Sequence, residues 1–115
     1  MRMWMVDPHV MCRKHLLGEH VELHMLVGHL ERRRAIGGYV ITNCVEPRAI
    51  ESRHAALMTE MARRGYWHAS QLVQPDVTWL PTAHRRARVD RAAALKELLR
   101  RCPECHKAMK MKAKI

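Results

Sequence analysis

The stretch DPHVMCRKHLLGEHVELHMLVGHLERRR, residues 7–34, decides the fold. Asp7 is a favoured N-cap residue, Pro8 suits the first helical position, and no further proline interrupts the run before Arg34, so the stretch predicts one long helix from Asp7 to Arg34. Turning about 100° per residue from Glu22, the side chains of Met11, Met25, Leu26, Gly18, His15 and His29 fall within about 60° of it. Leu23, Leu30, Leu16, Val21, Val10 and Leu17 lie further round, and Arg13, His20, His24 and Glu31 gather opposite. This wheel puts Glu22 in the middle of an apolar face. A carboxylate buried there needs an ion pair, hydrogen bonds or a chemical role, because burying it bare costs several kcal/mol.

With 115 residues the chain is expected to be a single domain with one core. A mean hydropathy of −0.35 and the lack of a long apolar run exclude a membrane-spanning segment, and the opening MRMWMVDP reads as an arm leading into a helix cap, not as a signal peptide. A cytoplasmic, nucleoid-associated location follows as an expectation, with Cys12, Cys44, Cys102 and Cys105 reduced. The formal charge of +10 points to an acidic partner, of which nucleic acid is the usual one. From Ala83 to Ile115 there are eleven Lys or Arg against three Asp or Glu. Within and beside that segment Arg85, Arg86, Arg88 and Arg91, together with Arg2, are the expected phosphate contacts; a solvated tail is the bland alternative.

Residues 1–6 alternate Met1, Met3 and Met5 with Arg2, Trp4 and Val6, as an extended arm lying on the body would. Gly37-Gly38 breaks the chain after the first helix, and Tyr39 to Val45 is β-prone but isolated, hence a short extended connector. A second helix starts at Glu46-Pro47 and ends at Gly65, with Ile50, His54, Leu57, Met58 and Met61 as its apolar stripe. Tyr66 to Arg86 contains Pro75 and Pro81 without a clear period and reads as a loop-rich crossover carrying Trp67 and Trp79. A third helix is expected from Arg88 to Arg101, ended by Pro103, with residues 107–115 as a mobile basic tail. The sum is an all-α domain of three helices, expected to be a monomer.

Three constellations carry candidate chemistry: Glu22 with His15 two turns away on one helix face, the free amino terminus of Met1, and the cysteines. Glu22 and His15 read equally well as an ion-paired carboxylate and a satisfied core histidine. Cys102-x-x-Cys105 is half of a zinc site, and Cys12-x-x-His15 supplies a second half; together they would clip the third helix to the first. The alternative is a set of reduced cysteines closing a helix. His20-Val21-Glu22 with Cys102-Pro103-Glu104-Cys105 loosely echoes the zinc deaminase pattern, but the proline lies inside the cysteine pair and no multi-stranded sheet is available.

The run His15-Leu16-Leu17-Gly18-Glu19-His20-Val21-Glu22-Leu23, followed by Val27-Gly28, resembles the first-helix motif of the phage endonuclease V type of pyrimidine-dimer DNA glycosylase and abasic-site lyase. Ile50, Arg53, Leu57, Glu60, Arg63-Arg64-Gly65 and Tyr66 recur in step with that family's second helix. The resemblance spans most of the chain, with a shorter middle loop. It implies a repair enzyme of double-stranded damaged DNA that needs no cofactor, in which the Met1 α-amine attacks the sugar, Glu22 assists and His15 orients or relays protons. Val21 and Met25 stand where the phage enzyme places arginines, and the tyrosine-rich tail is replaced by Cys102-Pro103-Glu104-Cys105-His106. Trp4, Trp67 and Trp79 are candidates to stack beside a displaced base, although tryptophan is more often core. Against the enzyme stands a second expectation, a non-catalytic, zinc-clipped nucleic-acid-binding module.

Overall fold

The computed structural model describes residues 1–67 and 70–113. Among them the chain is all-helical, with six helices and no strand: α1 Arg13–Glu31, α2 Gly37–Ile41, α3 Ile50–Arg63, α4 Thr82–Arg85, α5 Arg91–Arg101 and α6 Pro103–Ala113. The all-α class is as expected, but the count of three is not. The β-prone connector is the one-turn helix α2, and the expected tail is α6 as far as Ala113. Residues 114 and 115 of that tail lie outside the described residues.

The long helix begins later than its cap signal indicates. Asp7 does cap, its Oδ1 accepting from the His9 N–H at 2.9 Å, but the cap closes only the 3-10 turn Pro8–Val10. Met11 is then extended at φ −87°, ψ 139° and fully buried, so α1 starts with Cys12 at its N-cap. Burying Met11 and Val10 outweighs the continuous helix that residues 7–12 would otherwise form. At the other end the Arg33 and Arg34 N–H groups return to the Leu30 and His29 carbonyls at 3.0 and 3.2 Å, a Schellman closure. It places Arg33 at φ +56°, a position glycine usually takes.

The core face of α1 is Leu16, Glu19, His20, Leu23, Leu26 and Leu30. That stripe is centred about 90° round from Glu22. Glu22 therefore sits half-buried at its edge, Val21 and Met25 beside it are 55% exposed, and the buried carboxylate is Glu19. Arg53 of α3 holds Glu19 by a two-pronged ion pair, Nε to Oε2 at 2.6 Å and Nη2 to Oε1 at 2.9 Å. His20, read as outward, is buried against His54, their Nε2 atoms 3.1 Å apart, with the His24 ring edge-on to both.

Helix α3 packs against α1 through Ile50, Leu57 and Met61, and Leu98 and Ala94 of α5 complete the same core. Asp90 caps α5 by accepting the Ala93 N–H at 3.0 Å, three residues after the expected start at Arg88. Helix α6 lies over the Pro8–Val10 turn, with Cys105 fully buried and Lys112 paired with Asp7. The expected crossover from Tyr66 to Arg86 is irregular where it is described as far as Pro81, but it ends in the short helix α4, Thr82–Arg85.

Glu60 accepts from Arg63 Nε at 2.9 Å and from Arg64 Nε at 2.7 Å, and Arg64 also donates to the Pro8 and Met11 carbonyls. The Arg63 hydrogen bonds, then those of Arg64, outweigh burial and lower the Glu60 carboxyl from 4.5 to about 2. A carboxyl lowered in the folded state adds stability above its unfolded value and loses it as pH falls. Urea denaturation of the wild-type protein should thus show a stability loss between pH 4.5 and about 2 that is smaller in Glu60→Gln. Equal acid limbs in the two proteins would remove this clamp as its source.

Candidate active site

The amino-terminal arm is fixed at two points. The Met3 N–H donates to the Cys44 carbonyl at 2.7 Å, and the Val6 carbonyl accepts from Arg53 Nη1 at 2.6 Å. Between them Met3 and Trp4 are buried, and Met5 turns the chain at φ +56°. This anchoring brings the first two residues alongside α1. The positive amino terminus and the Arg2 backbone N–H both act on the Glu22 carboxylate and favour its charged form. Burial is the larger influence and, with Glu19 nearby, raises the Glu22 carboxyl above the ordinary carboxylate range despite those two groups.

Two clefts flank this point. One, of about 510 Å³, is lined by Arg2, Trp4, Lys14, His15, Gly18 and Glu22, with Arg101 of α5 across from them. The other, of about 470 Å³, includes Met1, His24, Met25, Arg32, Arg34 and Tyr39. Arg2 stacks its guanidinium 3.8 Å from the centre of the Trp4 ring, and its Nε is buried without a partner among the described residues. A larger groove of about 610 Å³, between the arm and α5, contains none of Met1, His15 and Glu22.

His15 faces two ways. Its ring stands edge-on to Trp4 at 5.9 Å and lines the first cleft, while Nδ1 is turned inward, 3.3 Å from Cys12 Sγ and 3.7 Å from Cys105 Sγ. Burial, then Lys14 and Arg101, lower its pKa, favouring the neutral ring. Cys12 Sγ is in turn 3.8 Å from Cys102 Sγ. The ligating atoms of Cys12, His15, Cys102 and Cys105 all lie within 4.8 Å of one another, a set able to hold a metal ion. The rings of His20, His24 and His54 form a second such group.

The expected phosphate contacts separate. Arg2 lies in the cleft beside Glu22. Arg91 instead grips Glu46, Nη1 and Nη2 at 3.1 and 3.2 Å from its carboxylate, with Arg88 at 3.9 Å. Arg85 donates to the Thr78 carbonyl at 3.4 Å, and Arg86 is exposed just beyond α4. None of these four lines either cleft. Sequence reading missed the cations that do: Lys14, Arg101, Arg32 and Arg34. Lys14 had a signal in its place next to His15, whereas Arg101 reaches the cleft only because α5 packs there. Of the tryptophans, Trp4 is buried and forms cleft wall, Trp67 is exposed, and Trp79 lies under Arg33.

A cationic helical protein with a half-buried carboxylate beside its amino terminus has the features of a nucleic-acid enzyme. The family model for pyrimidine dimer DNA glycosylase matches residues 1–74, and the chain belongs to that family. Membership gives it a DNA glycosylase role in DNA repair, with DNA as substrate. No curated protein and no solved structure matches the chain. The matched segment contains Met1, His15, Glu22 and Arg53; Arg101, Cys102 and Cys105 lie beyond it. Among the described residues no helix is long and apolar enough to cross a membrane.

Proposed function

We propose that the protein excises pyrimidine dimers or closely related lesions from duplex DNA and then cuts the strand at the resulting abasic sugar, with the Met1 α-amine as nucleophile. The observation that supports this most is that Glu22 lines one cleft with Arg2, near enough to the amino terminus for its positive charge to favour the carboxylate. In general an α-amine titrates near ~8 and a lysine near ~10.4, which makes α-amines the readier nucleophiles at neutral pH. The neutral amine attacks the sugar C1′; a C–N bond forms as the bond to the damaged base breaks, and the base leaves with a proton. Opening of the sugar ring gives an imine between Met1 and C1′. Loss of a C2′ proton and departure of the 3′ phosphate complete the β-elimination, and water releases the product. Glu22 contributes negative charge next to the cationic imine as it develops. His15, with Nδ1 on the sulfur cluster, shapes the cleft wall next to this centre.

Arg2 is too bulky to favour removal of the initiator methionine, so intact mass should show Met1 retained. Borohydride reduction during reaction with abasic or ultraviolet-irradiated duplex should freeze the imine as a covalent protein–DNA adduct. Binding without any adduct, from protein with an unmodified terminus, would leave a nucleic-acid-binding module in place of the enzyme.

For the DNA-contacting face we favour the rims of the two clefts. Replacing Arg2, Lys14 or Arg101 by Ala should weaken duplex binding about evenly across sequences and shallow the salt slope by roughly one unit each. Arg88→Ala and Arg91→Ala, whose charges are partly neutralised by Glu46, should change it less. If the second pair moves the slope more than the first three, the duplex lies across α4 and α5 instead.

A further inference from the structure

We propose that Cys12, His15, Cys102 and Cys105 form a structural zinc site that clips the carboxy-terminal helices to α1. The four ligands come from three helix ends: Cys12 is the N-cap of α1 and His15 lies in its first turn, Cys102 is the C-cap of α5, and Cys105 lies in the first turn of α6. Tetrahedral zinc with Zn–S near 2.3 Å and Zn–N near 2.05 Å requires about 3.8 Å between sulfurs and about 3.6 Å between sulfur and nitrogen. The Cys12–Cys102 sulfurs are 3.8 Å apart, and His15 Nδ1 is 3.3 and 3.7 Å from the sulfurs of Cys12 and Cys105.

The Cys12 N–H donates to Cys105 Sγ at 3.2 Å and the Cys105 N–H to Cys102 Sγ at 3.4 Å, bonds that strengthen when the sulfur is anionic. Cys102 and Cys105 are buried and the other two half-buried, and four protein ligands leave no open position, the mark of a structural rather than a catalytic site. Three sulfurs and one imidazole exclude the oxygen-seeking cations magnesium and calcium and select a borderline-soft ion. On binding, each thiol gives its proton to solvent and its sulfur to the metal. The histidine trio at His20, His24 and His54 is different: it offers only three nitrogens, two of them already joined by a hydrogen bond.

The site has a structural consequence that is independent of the glycosylase reading. Arg101 precedes Cys102 directly and lines the cleft with His15, so the clip would hold a cleft wall from beyond residue 74 against the α1 face. It also commits Nδ1 of His15 to the metal, making His15 a positioning residue.

Protein purified from zinc-supplemented medium should contain one zinc per chain by elemental analysis. Exchange with cobalt(II) should give the intense visible bands of a tetrahedral ion together with thiolate-to-cobalt charge transfer in the near ultraviolet. Cys105→Ser should lose the metal. His15→Cys should keep it and raise the charge-transfer intensity by about a third, three thiolates becoming four. Stripping the metal from wild-type protein should lower Tm by more than about 10 °C. Wild-type protein with little zinc, or a weak six-coordinate cobalt spectrum, overturns the proposal even if the variants fail to fold. Borohydride trapping does not enter any of these readouts, so either reading can fail alone.

Discussion

Blocking the amino terminus by acetylation, or displacing it by one added residue, is expected to lower formation of the borohydride-trapped adduct by at least about 10³-fold while leaving DNA affinity within a few-fold. Acetylation removes the lone pair that attacks the sugar. Extension leaves an amine but moves it by about 3.5 Å, because the arm cannot slide to compensate. Its register is fixed by the Met3 bond to Cys44 and by Arg53 on the Val6 carbonyl. Gel quantitation of the adduct on an abasic duplex is the measurement, and an undiminished adduct after acetylation would move the nucleophile to a lysine. Glu22→Gln should slow strand cleavage by about 10²–10³-fold. Its stability should move the other way. A carboxyl raised in the folded state contributes stability only at acid pH and loses it as pH rises, so at neutral pH the Gln variant should melt no lower than wild type.

Arg53→Ala is expected to cost about 3–5 kcal/mol in urea denaturation, because it leaves the Glu19 charge buried and alone. Glu19 is only 1% exposed and Arg53 6%, so water cannot take the missing partner's place without opening the core. At about 4 °C per kcal/mol in a chain this size, Tm should fall by about 12–20 °C. Glu19→Ala should be similarly damaging, with Arg53 stranded instead. The double replacement Glu19→Leu with Arg53→Met should recover most of the loss, since apolar groups of similar volume need no partner. Single variants within 1 kcal/mol of wild type would mean that water or another side chain reaches the pair. Arg53 also holds the Val6 carbonyl, so its variants should lose adduct formation beyond what the unfolded fraction explains, and Glu19→Leu/Arg53→Met should regain stability without regaining the adduct in full.

Much of this arrangement is written in local sequence. The stop at Pro103, the Ile50, His54, Leu57 and Met61 stripe, and Gly65 at φ +80° after α3 are all features that act over a few residues, whereas the arm does not alternate: Met3 and Trp4 are both buried and Met5 turns at φ +56°. The paired C-x-x-H and C-x-x-C spacings announced the four-residue cluster, although only folding could bring residues 12 and 102 together. The wheel went astray where tertiary packing chose among faces. Val21 and Met25 made the Glu22 side look apolar, yet both are exposed, and the side facing α3 is the one that carries Glu19. A charged Arg53 in register with Ile50 and Leu57 was the available sign that a buried carboxylate lay opposite. Helix α6 was hidden by its lysines: its apolar contacts are few, and its docking depends on Cys105, Met109 and the Lys112–Asp7 pair. Among the cleft cations Arg2 was legible, and Lys14 could have been from its place next to His15, whereas Arg101 reaches the cleft only because α5 packs there.

The boundary at residue 74 divides the chain's tasks unevenly. The proposed reacting groups, Met1 and Glu22, and the ion pair that braces them belong to the shared segment, whereas one wall of the cleft arrives on α5 from the segment that follows. Relatives could exchange that later segment for another and keep the same bond-breaking apparatus, acquiring a new preference among damaged bases through a graft at one edge and not through revision of the reacting groups.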